Sequence, residues 1–312
     1  MCLLFVNRRH LLAMGLVCAA VGTSFVPVLA RPTAVSATAV KFDSDWIVLP
    51  QAASELIAAG ALVLDARGKD VKSKQGLTPY AVPVTWQDLS QPDAPLKGQL
   101  LESDAQLTQK LQALGVSKNQ VVVVLGDPAN GWGEDGRLTW TLRSLGHSKA
   151  VMVDGGLPAL LQLGKPAIQP AKVPGDFVVA RNHQFDIRKE ELKERLGKTS
   201  TLIVDVREAH EFAGQTPYGE SRGGHLPGAK HLWFKALIGQ DGKLLPRPEI
   251  EKILASLGVT KDREVVSYCT AGIRSGWFTV LLTDLGYTAK NYTGSIWEWS
   301  AAPAEQYPLL KN

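Results

Sequence analysis

The feature that most narrows what this chain can fold into is that it is written twice. Leu62-Val63-Leu64-Asp65-Ala66-Arg67 returns as Leu202-Ile203-Val204-Asp205-Val206-Arg207, and Gly76-Leu77-Thr78-Pro79-Tyr80-Ala81 as Gly224-His225-Leu226-Pro227-Gly228-Ala229. Leu114-Gly115-Val116-Ser117-Lys118-Asn119 is answered by Leu257-Gly258-Val259-Thr260-Lys261-Asp262, and Leu145-Gly146-His147 by Leu285-Gly286-Tyr287. The pairs keep one order and one offset, roughly 140 residues, which marks a duplicated structural unit. Each copy must build its own core, and 312 residues suffice for two.

Within each copy short β-rich runs alternate with helical patterns. This predicts an α/β fold class: two tandem domains, each a mainly parallel sheet flanked by helices. Three prolines and two glycines between Gly164 and Gly175 read as a linker, so the expected domains are residues 44–163 and 176–312, with 164–175 between them. Residues 1–30 read as an export signal: a basic start at Asn7-Arg8-Arg9-His10, a mostly apolar run from Leu11 to Leu29, and Val28-Leu29-Ala30 before a cut. That predicts an exported, periplasmic protein with no membrane attachment after cleavage. A membrane anchor is the alternative, weakened by Gly15, Gly22, Thr23, Ser24 and Pro27 in the run. Arg8-Arg9 leaves both the Sec and the twin-arginine route open.

Composition excludes some partners. With 45% apolar and 21% charged residues the chain is globular, and a net charge of +4 without a basic run interleaved with aromatics argues against nucleic acid. Small anions remain as partners. The six histidines lack metal-ligand spacing.

Loss of the signal would remove Cys2 and Cys18, leaving Cys269 alone and without a disulfide partner. A lone cysteine is commonly an inert, small buried hydrophobe. Its surroundings argue otherwise. A predicted strand, Glu264 to Tyr268, runs into Cys269-Thr270-Ala271-Gly272-Ile273-Arg274, and a helix is expected from about Ser275 to Leu285, with Trp277, Phe278, Leu281, Leu282 and Leu285 facing the core and Gly286 stopping it. A loop leaving the carboxyl end of a parallel strand and entering a helix is where such folds bind ligands. The first amides of the helix attract an anion, Gly272 permits the positive φ of a tight loop, and Arg274 adds a cation. Such surroundings lower a thiol from about 8.5 to roughly 3.5–7.5. In the first copy the same register puts Gly126 where Cys269 stands, so that copy lacks a nucleophile.

Taken together, the duplicated frame, Asp205-Val206-Arg207-Glu208, Gly224-His225-Leu226-Pro227-Gly228-Ala229, the cysteine loop closed by Arg274, and Tyr292-Thr293-Gly294-Ser295-Ile296-Trp297-Glu298-Trp299 resemble the tandem-domain rhodanese sulfurtransferases. The resemblance runs from about Ser44 to the end. It implies that Cys269 takes the outer sulfur of a small anionic donor such as thiosulfate as a persulfide, then passes it to cyanide or a thiol, with no metal or organic cofactor required. Amides of Thr270, Ala271, Gly272, Ile273 and Arg274 would hold the persulfide, with the Arg274 charge helping to receive the donor. Arg207 matches an arginine used near the active site in this family; it either helps hold the donor or forms an ion pair with Asp205 or Glu208. Asp205 and His225 read as structural. The inactive copy would wall the cleft, and Trp132, Glu134 and Arg137 are available for this, although surface or core roles are the plainer reading.

Three alternatives stay open. Small residues at Thr270 and Ala271 resemble 3-mercaptopyruvate enzymes, whereas the extra cation at Arg274 favours the dianion thiosulfate. A persulfide carrier or redox sensor would need the same thiol. A cysteine phosphatase would resemble this loop too, but with five residues between cysteine and arginine rather than four, and with an acid to protonate the leaving group, which the loop lacks.

Overall fold

The computed structural model describes residues 45–311. The basic start, the apolar run and the cut site expected as an export signal, with Cys2 and Cys18, lie outside the described residues. Among those described, no helix is long and apolar enough to cross a membrane.

The first half runs β1 (Ile47–Val48), α1 (Pro50–Ala58), β2 (Leu62–Asp65), α2 (Lys69–Gln75), β3 (Val82–Pro83), α3 (Asp104–Ala113), β4 (Val122–Leu125), α4 (Glu134–Ser144), β5 (Ala150–Val153) and α5 (Gly156–Leu161). The second runs α6 (Lys189–Arg195), β6 (Thr201–Asp205), α7 (Ala209–Phe212), β7 (Lys230–His231), α8 (Arg247–Ser256), β8 (Glu264–Tyr268), α9 (Ile273–Asp284), β9 (Ala289–Asn291) and α10 (Ser295–Ala301). The strand orders are β1-β5-β4-β2-β3 and β7-β6-β8-β9, and every pairing is parallel. Asp186 makes a parallel bridge to Asn291, the counterpart of β1 beside β5. The two tandem parallel sheets flanked by helices expected from the repeat are therefore present.

The central strands are short uninterrupted apolar runs because helices cover both faces of each sheet. Val122 to Leu125 are wholly buried, as are Val265 and Val266. Residues 164–175 form neither helix nor strand. Beyond them Phe177 and Val179 first pack into the core of the first half, beside Leu107 and Leu142, before the second half begins.

The halves meet chiefly through α4 against α9. Two glycines at equivalent places let the backbones approach: a Cβ on Gly136 would lie 2.5 Å from the Trp277 Cα, and one on Gly276 would lie 3.2 Å from the Arg137 Cα. Trp46, Trp140 and Met152 of the first half join the core of the second. Each such large apolar side chain contributes on the order of 1.5–3 kcal/mol by leaving water. The crossing brings the start of α4 against the loop that opens α9.

Candidate active site

Cys269 follows β8 directly and is 1% exposed, at the floor of a cleft of about 460 Å3. It is the free cysteine of the described residues. The loop is tight because Gly272, at φ +77°, turns the chain straight into α9. The helix therefore starts at Ile273, two residues before the sequence suggests. Gly272 donates its N–H to the Cys269 Sγ at 3.1 Å. Ser275 Oγ lies 3.6 Å from Sγ, but its single proton has a closer acceptor, Asn291 Oδ1 at 2.7 Å. Behind the cysteine, Ser295 Oγ accepts from the Cys269 N–H at 3.1 Å and donates to the Tyr292 carbonyl. The Cys269 and Thr270 carbonyls accept from the amides of Ile296 and Trp297, so α10 braces the loop from outside.

Burial pushes the Cys269 thiol up, but the Arg274 charge and hydrogen bonds from Ser275 and the Ala271 amide outweigh it and hold the thiol below its ordinary value. The thiolate is thereby stabilised relative to an ordinary thiol, at the start of a helix where the amides carry partial positive charge.

The rim arginine has a different setting from the one expected. Arg274 is 4% exposed, and its two Nη atoms grip the Glu211 carboxylate at 2.6 and 2.8 Å, with Nη2 also on Thr270 Oγ1. Burial works to lower its pKa, while Glu211 and Cys269 together raise it above the usual arginine value; burial works to raise that of Glu211, but Arg274 holds it below its own. The Arg274 charge is thus compensated within the protein. An acidic group does reach the loop, from α7, but as a carboxylate that cannot donate a proton to a leaving group. Thr270, Ala271 and Ile273 line the cleft with Cys269 and Arg274.

Arg207 is brought elsewhere. It is fully buried, holds both Asp205 oxygens and donates to the Gly224 carbonyl, and it is absent from the cleft lining. Of its two open readings, the Asp205 ion pair is the one present in the structure, with the Arg207 side chain turned back toward the end of its own strand. His225 stacks on Phe212, with Nδ1 3.0 Å from the Phe212 carbonyl.

The first half supplies much of the cleft. Trp132 and Glu134 line it, as residues walling the cleft would. Trp86 from the first half and Tyr218 and Trp297 from the second complete an aromatic wall, and the Arg274 guanidinium lies 5.3 Å from the Trp132 ring. Lys69, Asp70 and Glu134 are the charged groups around the opening. Arg137 lies under the loop, donating to the carbonyls of Ala271 and Gly272 at 3.2 and 3.0 Å. A second cavity of about 440 Å3, lined by Arg181, Lys189 and Tyr292 among others, contains neither cysteine nor histidine.

Glu211, Ser275, Ser295 and Trp86 were not singled out in the sequence. Ser295 stands within the Tyr292–Trp299 motif and Ser275 at the expected helix start, whereas Glu211, three residues beyond Glu208, and Trp86 carried no signal. Among the described residues Glu208, His210 and Glu211 bring ligand atoms within 4.8 Å of one another. Both Glu211 oxygens are taken by Arg274 and Thr270, so the trio does not offer three free ligands.

Comparison with known proteins bears on this geometry. The rhodanese-like domain family matches residues 188–302. The thiosulfate sulfurtransferase of Pseudomonas aeruginosa is 33% identical over 216 residues, covering 68% of this chain and 78% of that protein. The sulfur carrier protein TtuD of Thermus thermophilus is 32% identical over 216 residues, covering 63% of this chain and 74% of its own. The 3-mercaptopyruvate sulfurtransferase SseA of Escherichia coli superposes with a TM-score of 0.68 at 23% identity, covering 80% of this chain and 98% of that one.

Proposed function

Because the chain belongs to the rhodanese-like sulfurtransferases, we propose that it moves sulfane sulfur from thiosulfate to a thiol or cyanide through a persulfide on Cys269. The observation that carries this reading is the buried Cys269 at the end of β8, its Sγ accepting from the Gly272 N–H at the entrance to α9 and opening into the cleft. The thiolate attacks the outer sulfur of thiosulfate, the sulfur–sulfur bond breaks, and sulfite leaves with the electron pair. The persulfide anion that remains is held by loop amides aimed into the cleft, where their dipoles act with little screening. In the second half-reaction the acceptor's lone pair attacks the outer sulfur and the Cys269 thiolate is restored. Neither step needs a proton donor, which fits a site whose nearest acid, Glu211, is held ionised by Arg274.

Thiosulfate rather than 3-mercaptopyruvate is supported by the naming of the Pseudomonas aeruginosa relative. It is no longer supported by the charge of Arg274, which Glu211 compensates. Lys69 at the opening and the loop amides then meet the donor's charge. Export to the periplasm remains our proposal from the sequence. Steady-state sulfur transfer to cyanide with each donor, for the wild type and Cys269→Ser, tests the reading. Turnover with thiosulfate that vanishes in Cys269→Ser is expected. Turnover with 3-mercaptopyruvate alone would replace the donor, and no turnover with either would favour a carrier role like that of the Thermus thermophilus relative.

A further inference from the structure

Arg137 is the most unusual charge in the molecule. It is fully buried, comes from the half without a nucleophile, and has no carboxylate within its hydrogen-bonding shell. Nη1 donates to the Ala271 and Gly272 carbonyls, Nη2 to Ser90 Oγ and the Gly98 carbonyl, and Nε has no partner. A buried cation is costly unless an anion faces it. The Ala271 carbonyl belongs to the same peptide unit as the Gly272 N–H, and that N–H is the one on Sγ. The chain of contacts therefore reads guanidinium, C=O, N–H, sulfur, each dipole pointing the same way.

We propose that Arg137 sets the acidity of Cys269 from across the domain interface, polarising the Ala271–Gly272 peptide whose N–H holds the sulfur anion. This rests on reading Cys269 as the nucleophile and makes Arg137 a positioning residue, since it reaches the sulfur through a peptide. Hydrogen bonds in such a chain strengthen one another in a low-dielectric interior. The Gly272 carbonyl is anchored further by Asn291 Nδ2 at 3.1 Å and the Gly276 amide, which fixes the loop in the orientation that aims its amides at Sγ.

The pseudo-symmetry of the fold supplies a control. The Leu-Gly register that aligns α4 with α9 pairs Arg137 with Trp277. Trp277 packs on the loop of the first half, beside Pro128 and Asp135, where no thiol stands. The loop with the cysteine receives a cation and the loop without it receives an indole. Burial lowers the Arg137 pKa to about 10, partly offset by Cys269 and Asp186, so it stays charged at neutral pH. The other titratable groups facing Cys269 are Arg274, with Glu211 on its far side, and around the opening the charged Lys69, Asp70 and Glu134 and the neutral phenol of Tyr218. Arg274 is compensated by a carboxylate and Arg137 is not.

The test is the pH dependence of iodoacetamide alkylation at Cys269, read by peptide mass spectrometry on the full chain from about pH 5 to about pH 10. Arg137→Gln should raise the midpoint by about one unit, slowing alkylation roughly tenfold at pH values well below the midpoint. Arg137→Lys, which replaces the fork with one ammonium, should raise it by about half a unit, and is the variant to read should Arg137→Gln fail to fold. An unmoved midpoint in either variant with a native melting transition overturns the proposal, because a merely structural arginine would change stability and leave thiol acidity alone. Alkylation needs no sulfur donor. An enzyme that fails to turn over would thus sink the sulfur-transfer reading while leaving this measurement interpretable.

Discussion

At the end of β4 the chain reaches Gly126, and at the equivalent end of β8 it reaches Cys269; the two loops solve one electrostatic problem in opposite ways. Each is followed by a helix whose first amides call for an anion. In the first half that helix begins Glu134-Asp135, and the Asp135 carboxyl fills the place beside Gly126, where an added Cβ would lie 2.3 Å from Oδ2. In the second half the same positions are Arg274-Ser275, and the seat is left to Sγ. One half fills the place beside its helix start with its own carboxyl group. The other keeps it for a reactive sulfur and has to be braced from outside, by Arg137 and by α10.

The comparison can be broken at several points. Glu211→Gln should have the largest effect on stability, about 3 kcal/mol, because it strands the buried Arg274 charge; chemical denaturation would measure it. The same change should lower the alkylation midpoint of Cys269, since Arg274 then acts uncompensated. Gly136→Ala forces a methyl onto the Trp277 backbone and should cost on the order of 2–3 kcal/mol, whereas Gly276→Ala, with its closest contact at 3.2 Å, should cost less. Unfolding midpoints of the two variants in urea would rank them.

Gly126→Cys sharpens the contrast. Alone it should destabilise by about 2 kcal/mol through its clash with Asp135 and bring no sulfur transfer. Gly126→Cys combined with Asp135→Ser should recover most of that stability, a coupling that a double-mutant cycle reads directly. Full stability in the single variant would mean that the carboxyl does not hold the seat.

Asp135 gives the smallest effect and a pH signature. Burial raises its pKa to about 7, opposed by the Gly136 amide and helped by the Glu134 charge. The folded chain then keeps a proton that the unfolded chain releases near 3.8, so this contribution is complete below about pH 3.8 and is lost as pH rises through about 7. Asp135→Asn should flatten that fall and stabilise the protein by about 1–2 kcal/mol above neutrality. Equal pH dependence in wild type and variant, followed by thermal melts, would contradict it.

Much of the fold was legible because it is carried by short-range pattern. The range of β8, the stop at Gly286 and the burial of Trp277 and Phe278 follow from residues within one turn or one strand of each other. The start of α9 was misplaced by two residues because a positive φ at Gly272 enters the helix more abruptly than apolar spacing reveals. Arg207 was ambiguous because a strand-end arginine can turn outward or back along its own strand, and its sequence neighbours are the same in both cases. For Trp132 and Glu134 a cleft-wall, a surface and a core role are alike in the sequence, and only the crossing of α4 and α9 sets them beside a loop from the other half.

The duplication, the parallel α/β halves and the cysteine at the start of a helix are all written in local spacing. The tertiary structure decided which charges act on that cysteine. Glu211 meets Arg274 across 63 positions of chain and Arg137 meets Ala271 across 134. Electrostatic energy depends on distance and burial in space, and neither is a property of a residue's place along the chain.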